Sequence, residues 1–150
     1  MSLTEAPALA FIYDREVTSH DERLTERLAA CRAYADRMGW HVAGAWVDRG
    51  DTALHAGRRP LWRGMVAAME DRAGGDGRVV CLVADWGRIS HDPADSVDLR
   101  QMVSRAGGVV VTVTGETDTE RGLSARADVV PIRRTPEWAQ RASGPYGEPA

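Results

Sequence analysis

Apolar side chains recur along this chain in two alternating rhythms. Four short runs, Leu9 to Tyr13, Val42 to Val47, Val79 to Ala84 and Val109 to Val113, read as strands, the first of the continuous apolar kind buried in a parallel sheet. Between them the spacing changes to three, four and seven. Leu24, Leu28, Cys31, Tyr34, Ala35 and Met38 form one helical face, closed by Gly39. Pro60 opens a second helix at its first position, with Leu61, Trp62, Met65, Val66 and Met69 facing inward, and Gly74-Gly75-Asp76-Gly77 releases the chain. Asp92-Pro93 reads as the cap and first residue of a third helix, whose apolar positions are Val97, Leu99, Met102, Val103 and Ala106 before Gly107-Gly108. Strand and helix alternate throughout. The expected fold class is therefore α/β, a mainly parallel open sheet of about four to five strands with helices on both faces. Residues 1–130 form one domain in this reading. Pro131, Pro136, Pro145 and Pro149 then mark 131–150 as a Pro-rich, flexible tail.

Composition narrows the classes of function without selecting one. With 150 residues, 43% hydrophobic and 27% charged, the chain is an ordinary globular domain with room for one large core. No apolar run approaches the length of a membrane span, and the N-terminus turns acidic at once, so no membrane is expected and a cytoplasmic location is. The formal net charge of −3 offers nucleic acid no global attraction, so any such contact must be local. Every one of the 19 basic residues is arginine. Cys31 and Cys81 sit inside apolar patterns without metal-ligand spacing and read as buried thiols; no cofactor or metal is expected.

Candidate chemistry gathers where parallel sheets place it, beyond the carboxyl ends of the strands. The first strand leads into Asp14, Arg15, Thr18 and Ser19. The second leads into Asp48 and Thr52, and the third into Asp85, Trp86, Arg88 and His91. Arg59, at the start of the second helix, is expected to return to the same rim. Three arginines converging there suit an oxyanion such as a phosphodiester, because a guanidinium donates a fork of two hydrogen bonds. The structural alternative pairs each arginine with a neighbouring aspartate on a solvated rim. Trp86 offers a stacking surface for a base or a wall for a small ligand.

The same residues carry a family likeness from Ile12 to about Asp118. Ile12-Tyr13-Asp14-Arg15 resembles the opening Tyr-x-Arg-x-Ser motif of serine recombinases, the resolvase/invertase family. Leu28-Ala29-Ala30-Cys31-Arg32-Ala33-Tyr34-Ala35 with Gly39-Trp40 is similar to that family's first helix. Val47-Asp48-Arg49-Gly50-Asp51-Thr52 stands in place of its Asp-x-x-x-Ser loop, Arg59-Pro60-Leu61 in place of its Arg-Pro-x-Leu helix start, and Gly87 to Asp95 resembles its Asp-Arg-Leu-Ser-Arg-Asp signature. The resemblance implies a resolvase-like fold and a reaction in which a serine attacks a DNA phosphate, with arginines stabilising the charge on phosphorus. By position Arg15, Arg59 and Arg88 match the family's arginines, and Asp48 matches its acidic residue.

Departures from the family pattern shape the functional expectation. Val17 occupies the serine position and has no attacking atom; Gly87 and His91 stand where the family has Asp and Arg. Ser19 lies two residues late, and Ser19-His20-Asp21-Glu22 also reads as a capping box for the first helix. After Asp118 the chain reaches Pro131 with no room expected for the family's long assembly helix or DNA-binding module. Candidate substrate contacts are Tyr13, Thr18, Thr52, Asp85, Trp86 and His91, and three readings stay open: a catalytically degenerate accessory protein whose partner is DNA or another recombinase; the fold reused for a small anionic molecule, with Trp86, His91 and Thr52 shaping the pocket; and an active enzyme using Ser19. The sequence leaves the oligomeric state open, a dimer included.

Overall fold

The computed structural model describes residues 6–18, 21–50, 53 and 56–118. In chain order they form β1 (Leu9–Glu16), α1 (Asp21–Met38), β2 (His41–Arg49), a 3-10 turn (Ala56–Arg58), α2 (Pro60–Arg72), β3 (Val79–Val83), a second 3-10 turn (Trp86–Arg88), α3 (Pro93–Arg105) and β4 (Val109–Thr112). The four strands make one parallel sheet in the order β2-β1-β3-β4. From β1 the chain moves outward to β2, then crosses back over β1 to β3 and continues to β4. That reversal places α1 on one face and α2 with α3 on the other, as a fixed crossover hand requires. The proposed boundary near residue 130 and the Pro-rich tail lie outside the described residues.

Two cores follow from the period of two along the strands. Phe11, Tyr13, Cys81 and Val83 point toward α2 and α3, where they meet Trp62, Met65, Met69, Leu99 and Val103. Ala10, Ile12, Val80 and Leu82 point the other way, onto Cys31 and Ala35 of α1. Phe11 stacks on Trp46 at 5.5 Å and Tyr13 meets Trp62 edge-on at 4.8 Å. Both cysteines are buried and reduced; burial pushes the Cys31 thiol up to about 12 and the Cys81 thiol well above its ordinary value. Among the described residues no helix is long and apolar enough to cross a membrane.

The helix punctuation is mostly as the sequence reads. Asp92 Oδ1 accepts from the backbone N–H of Ala94 (2.8 Å) and Asp95 (3.2 Å), and Pro93 begins α3. Gly39 ends α1 at φ 76°, a backbone state that L side chains adopt at a cost. The Ser19 capping box falls outside the described residues. One boundary needs correction: β1 does not stop at Tyr13 but continues through Asp14, Arg15 and Glu16, all buried. Charges are tolerated there because partners from α1 and from the turn after β3 neutralise or hydrogen-bond them.

Candidate functional site

The site begins where two strands part. β1 and β2 stay paired to Glu16 and Arg49, whereas β1 and β3 are paired only as far as Ile12 and Leu82. This divergence lies at the point where the strand order reverses, the position at which open parallel sheets form ligand clefts. Arginine side chains replace the missing ladder bonds. Arg15 Nε donates to the Gly87 carbonyl at 2.9 Å, and Arg88 Nη1 donates back to the Arg15 carbonyl at 2.9 Å. Each arginine is thus fixed by the backbone beside the other.

Alternation along β1 sorts the remaining charges into two layers. Asp14 and Glu16 face α1, where Arg27 grips both: Nε and Nη2 donate to the two Asp14 oxygens at 2.8 and 2.9 Å, and Nη2 also donates to Glu16 at 2.7 Å. Glu16 further accepts from the Thr18 backbone N–H at 3.1 Å and from its hydroxyl. The Thr18 bonds first, and Arg27 second, hold the Glu16 carboxyl down at about 2. The Asp14 bond leads the effects that raise the Arg27 guanidinium above its usual value. The segment carrying Val17 is therefore tied at Glu16 on one side and at Thr18 on the other. Sequence reasoning missed Arg27, although a signal existed: it shares the apolar face of Leu24, Leu28 and Cys31, an unusual place for a solvated cation.

Opposite, Tyr13 and Arg15 face α2 and α3. Tyr13 donates to Asp48 Oδ2 at 2.8 Å, and Asp48 also accepts from the backbone N–H of Leu61 (3.0 Å) and Trp62 (3.1 Å). Arg59 precedes α2 without a side-chain cap bond. Asp48 supplies the cap instead, from the end of a different strand, and burial drives the Tyr13 phenol well above its ordinary pKa. Arg59 does not reach an open rim. It is 1% exposed and donates through Nη1 to the Ile89 carbonyl, with Nε lacking a hydrogen-bond partner among the described residues.

Above these layers lies a cavity of about 630 Å³ lined by Arg15, Glu16, Val17, Thr18, Glu22, Arg23, Arg27, Arg88 and His91. The structure brings Arg15, Thr18, Arg88 and His91 together here, keeps Tyr13, Asp48 and Arg59 beneath, and leaves Asp85 exposed, 3.4 Å from Arg88 Nε. Trp86 is half-buried against the α2–α3 core, with the Arg100 guanidinium 4.9 Å from its ring centre; it does not line the cavity. Ser19 and Thr52 lie outside the described residues. Val17 is 41% exposed on the cavity wall, a methyl-bearing surface where the family pattern has a hydroxyl.

The electrostatics favour an anion. Among the described residues no carboxylate comes within ion-pair distance of Arg15 or Arg59, while Arg88 makes only long contacts, 3.5 Å to Asp14 and 3.4 Å to Asp85. The expected alternative, each arginine paired with an aspartate, holds for Arg88 alone. Burial first, then the neighbouring charges of Arg59 and Arg88, lowers the Arg15 pKa from its usual value. An anion entering the cavity relieves that crowding. Among the described residues no group of three metal-ligating side chains is arranged to hold a metal ion.

Residues 10–127 match the family model described as "Resolvase, N terminal domain". Among solved structures the chain is similar to the N-terminal catalytic domain of TP901-1 integrase, at a TM-score of 0.60 and 18% identity over 81% of this chain and 90% of that one. It is similar also to a resolvase family site-specific recombinase from Streptococcus pneumoniae, at 0.60 and 19% over 95% and 98%. The C-terminal catalytic domain of ISC1926 TnpA, an IS607-like serine recombinase, aligns at 0.57 and 20% over 70% and 68%. At these identities the structural likeness is one of fold. No curated relative matches the chain.

Proposed function

The chain belongs to the resolvase N-terminal-domain family, whose solved neighbours are serine recombinase catalytic domains, and we propose that it holds DNA phosphates without cutting them. In this reading it is a cytoplasmic, DNA-associated accessory or regulatory protein, with DNA or another recombinase as partner. One observation carries the reading: Arg15 and Arg88 line the cavity, and the side chain presented beside them at position 17 is valine. Arg15 and Arg88 contact the phosphate oxygens through the donors that the backbone carbonyls leave unused. Asp48, Tyr13 and Arg59 position α2 and the turn after β3 beneath them. Phosphate binding survives the loss of a nucleophile because guanidinium forks bind charge, whereas cleavage needs an attacking atom.

A second reading has its own support. A cavity of about 630 Å³ is the size of a small-molecule site, so the fold is also suited to a small anionic ligand. The test is fluorescence anisotropy of the full chain against duplex and single-stranded DNA, at low and then physiological salt. Binding that falls steeply with salt, weakens with Arg88→Ala and yields no denaturant-stable adduct is expected. No binding at low salt overturns the DNA reading. A stable adduct that disappears with Ser19→Ala moves the function to a displaced nucleophile.

A further inference from the structure

Two of the chain's departures from its family pattern touch one another. A Cβ built on Gly87 would lie 2.9 Å from His91 Cε1, 3.5 Å from His91 Nδ1 and 3.0 Å from Asp85 Oδ1. The first distance is closer than carbon atoms approach without displacement. The imidazole of His91 therefore rests in the space that any side chain at 87 would fill. The backbone there is not free to move aside, because the Gly87 carbonyl is the acceptor for Arg15 Nε at 2.9 Å. Gly87 has no positive φ.

From this seat His91 joins Arg15 and Arg88 on the cavity wall. Arg15 uses Nε and Nη1 on carbonyls, and Arg88 uses Nη1 on a carbonyl and turns Nε toward Asp85. Neither Nη2 has a hydrogen-bond partner among the described residues. Two guanidinium groups and an imidazole thus line one cavity, beside the apolar wall of Val17. A phosphodiester offers two unbridged oxygens and one charge. A phosphate monoester offers three oxygens and up to two charges.

We infer that Gly87 and His91 together convert the cavity into a site selective for phosphate monoesters, either the phosphorylated end of a DNA strand or a free mononucleotide. The inference rests on the anion-binding reading above and specifies its substrate class. His91 is the third donor, and an imidazole donates two N–H groups and a full charge only when protonated. The charges around it are mixed: Arg15 and Glu16 come from β1, Glu22, Arg23 and Arg27 from α1, Asp85 and Arg88 from the turn after β3, and Asp92 follows it in the chain. The monoester itself gains its second charge near pH 6.

The experiment uses the full chain and three probes: one oligonucleotide labelled at its 3' end, with a 5'-phosphate or with a 5'-hydroxyl, and a free 5'-mononucleotide followed by calorimetry. The wild type is expected to bind the phosphorylated strand about tenfold more tightly than the hydroxyl strand at neutral pH. His91→Ala should bring that ratio toward unity, and Gly87→Ala, which displaces the ring, should do the same. Equal affinity for the two strands, or a ratio unchanged in His91→Ala, overturns the inference while leaving DNA binding in place. If the mononucleotide binds, loses affinity in His91→Ala, and neither strand binds, the monoester site stands and the DNA reading falls. Binding of no probe at low salt removes both.

Discussion

Asp48 is the residue at which structure and family resemblance assign different work, and replacing it separates them. Its carboxylate is fully buried and accepts three hydrogen bonds, one from Tyr13 and two from the first turn of α2. Asp48→Ala removes the cap of that helix, a loss of about 1 kcal/mol. It also strands the Tyr13 hydroxyl, which has 0% exposure, at a further cost of about 1–3 kcal/mol. The sum is about 3 kcal/mol, or roughly 6–12 °C in Tm for a chain of this size. Tyr13→Phe should cost only about 1 kcal/mol, since Asp48 keeps both backbone donors. Urea unfolding of the two single variants and the double variant measures the coupling directly. The double variant should be more stable than the sum of the single losses predicts by about 2 kcal/mol, because the second change removes a donor that the first left unpaired. A loss under about 1 kcal/mol for Asp48→Ala, or strict additivity, would refute the assignment of Asp48 as the remote cap of α2.

Three further outcomes are expected. Arg27→Ala leaves the buried carboxylate of Asp14 with only a long contact to Arg88, so stability should fall by about 3 kcal/mol; Arg27→Lys should recover little, because an ammonium cannot reproduce the two-pronged grip. Because the Glu16 carboxyl is held near 2 when folded against an ordinary 4.5, its contribution is present above pH 4.5 and is lost as pH falls toward 2. Unfolding curves at pH 6, 4 and 3 should therefore show a smaller acid loss for Glu16→Gln than for the wild type. Cys31 and Cys81, both buried with raised thiol pKa values, should react with a thiol reagent only on unfolding; rapid reaction of the native protein would place one of them at the surface.

The alternating periods suffice to read the helices and strands because each element buries one stripe or one run, and that demand is local. Pro60, Asp92-Pro93 and Gly39 mark helix ends for equally local reasons, the geometry of a first or last turn. The extension of β1 was not legible. Asp14, Arg15 and Glu16 look like a loop until Arg27, thirteen residues from Asp14, and the Gly87 carbonyl, seventy-two from Arg15, come into contact with them. The same holds for Arg59. Its position beside Pro60 implies a rim, yet the packing of α2 against the turn after β3 turns it inward onto Ile89.

By itself, the sequence determined the parallel α/β order, the two apolar faces, the candidate set Arg15, Arg88 and His91, and the missing hydroxyl at Val17. Only the tertiary structure decided which charges share a cavity, that Asp48 caps a helix it does not belong to, and that the His91 ring lies where a Cβ at Gly87 would sit. Periodicity and capping act over a few residues and are written in the local code. The pairing of charges depends on where two strands diverge and which helix crosses the gap, and no local pattern encodes that distance.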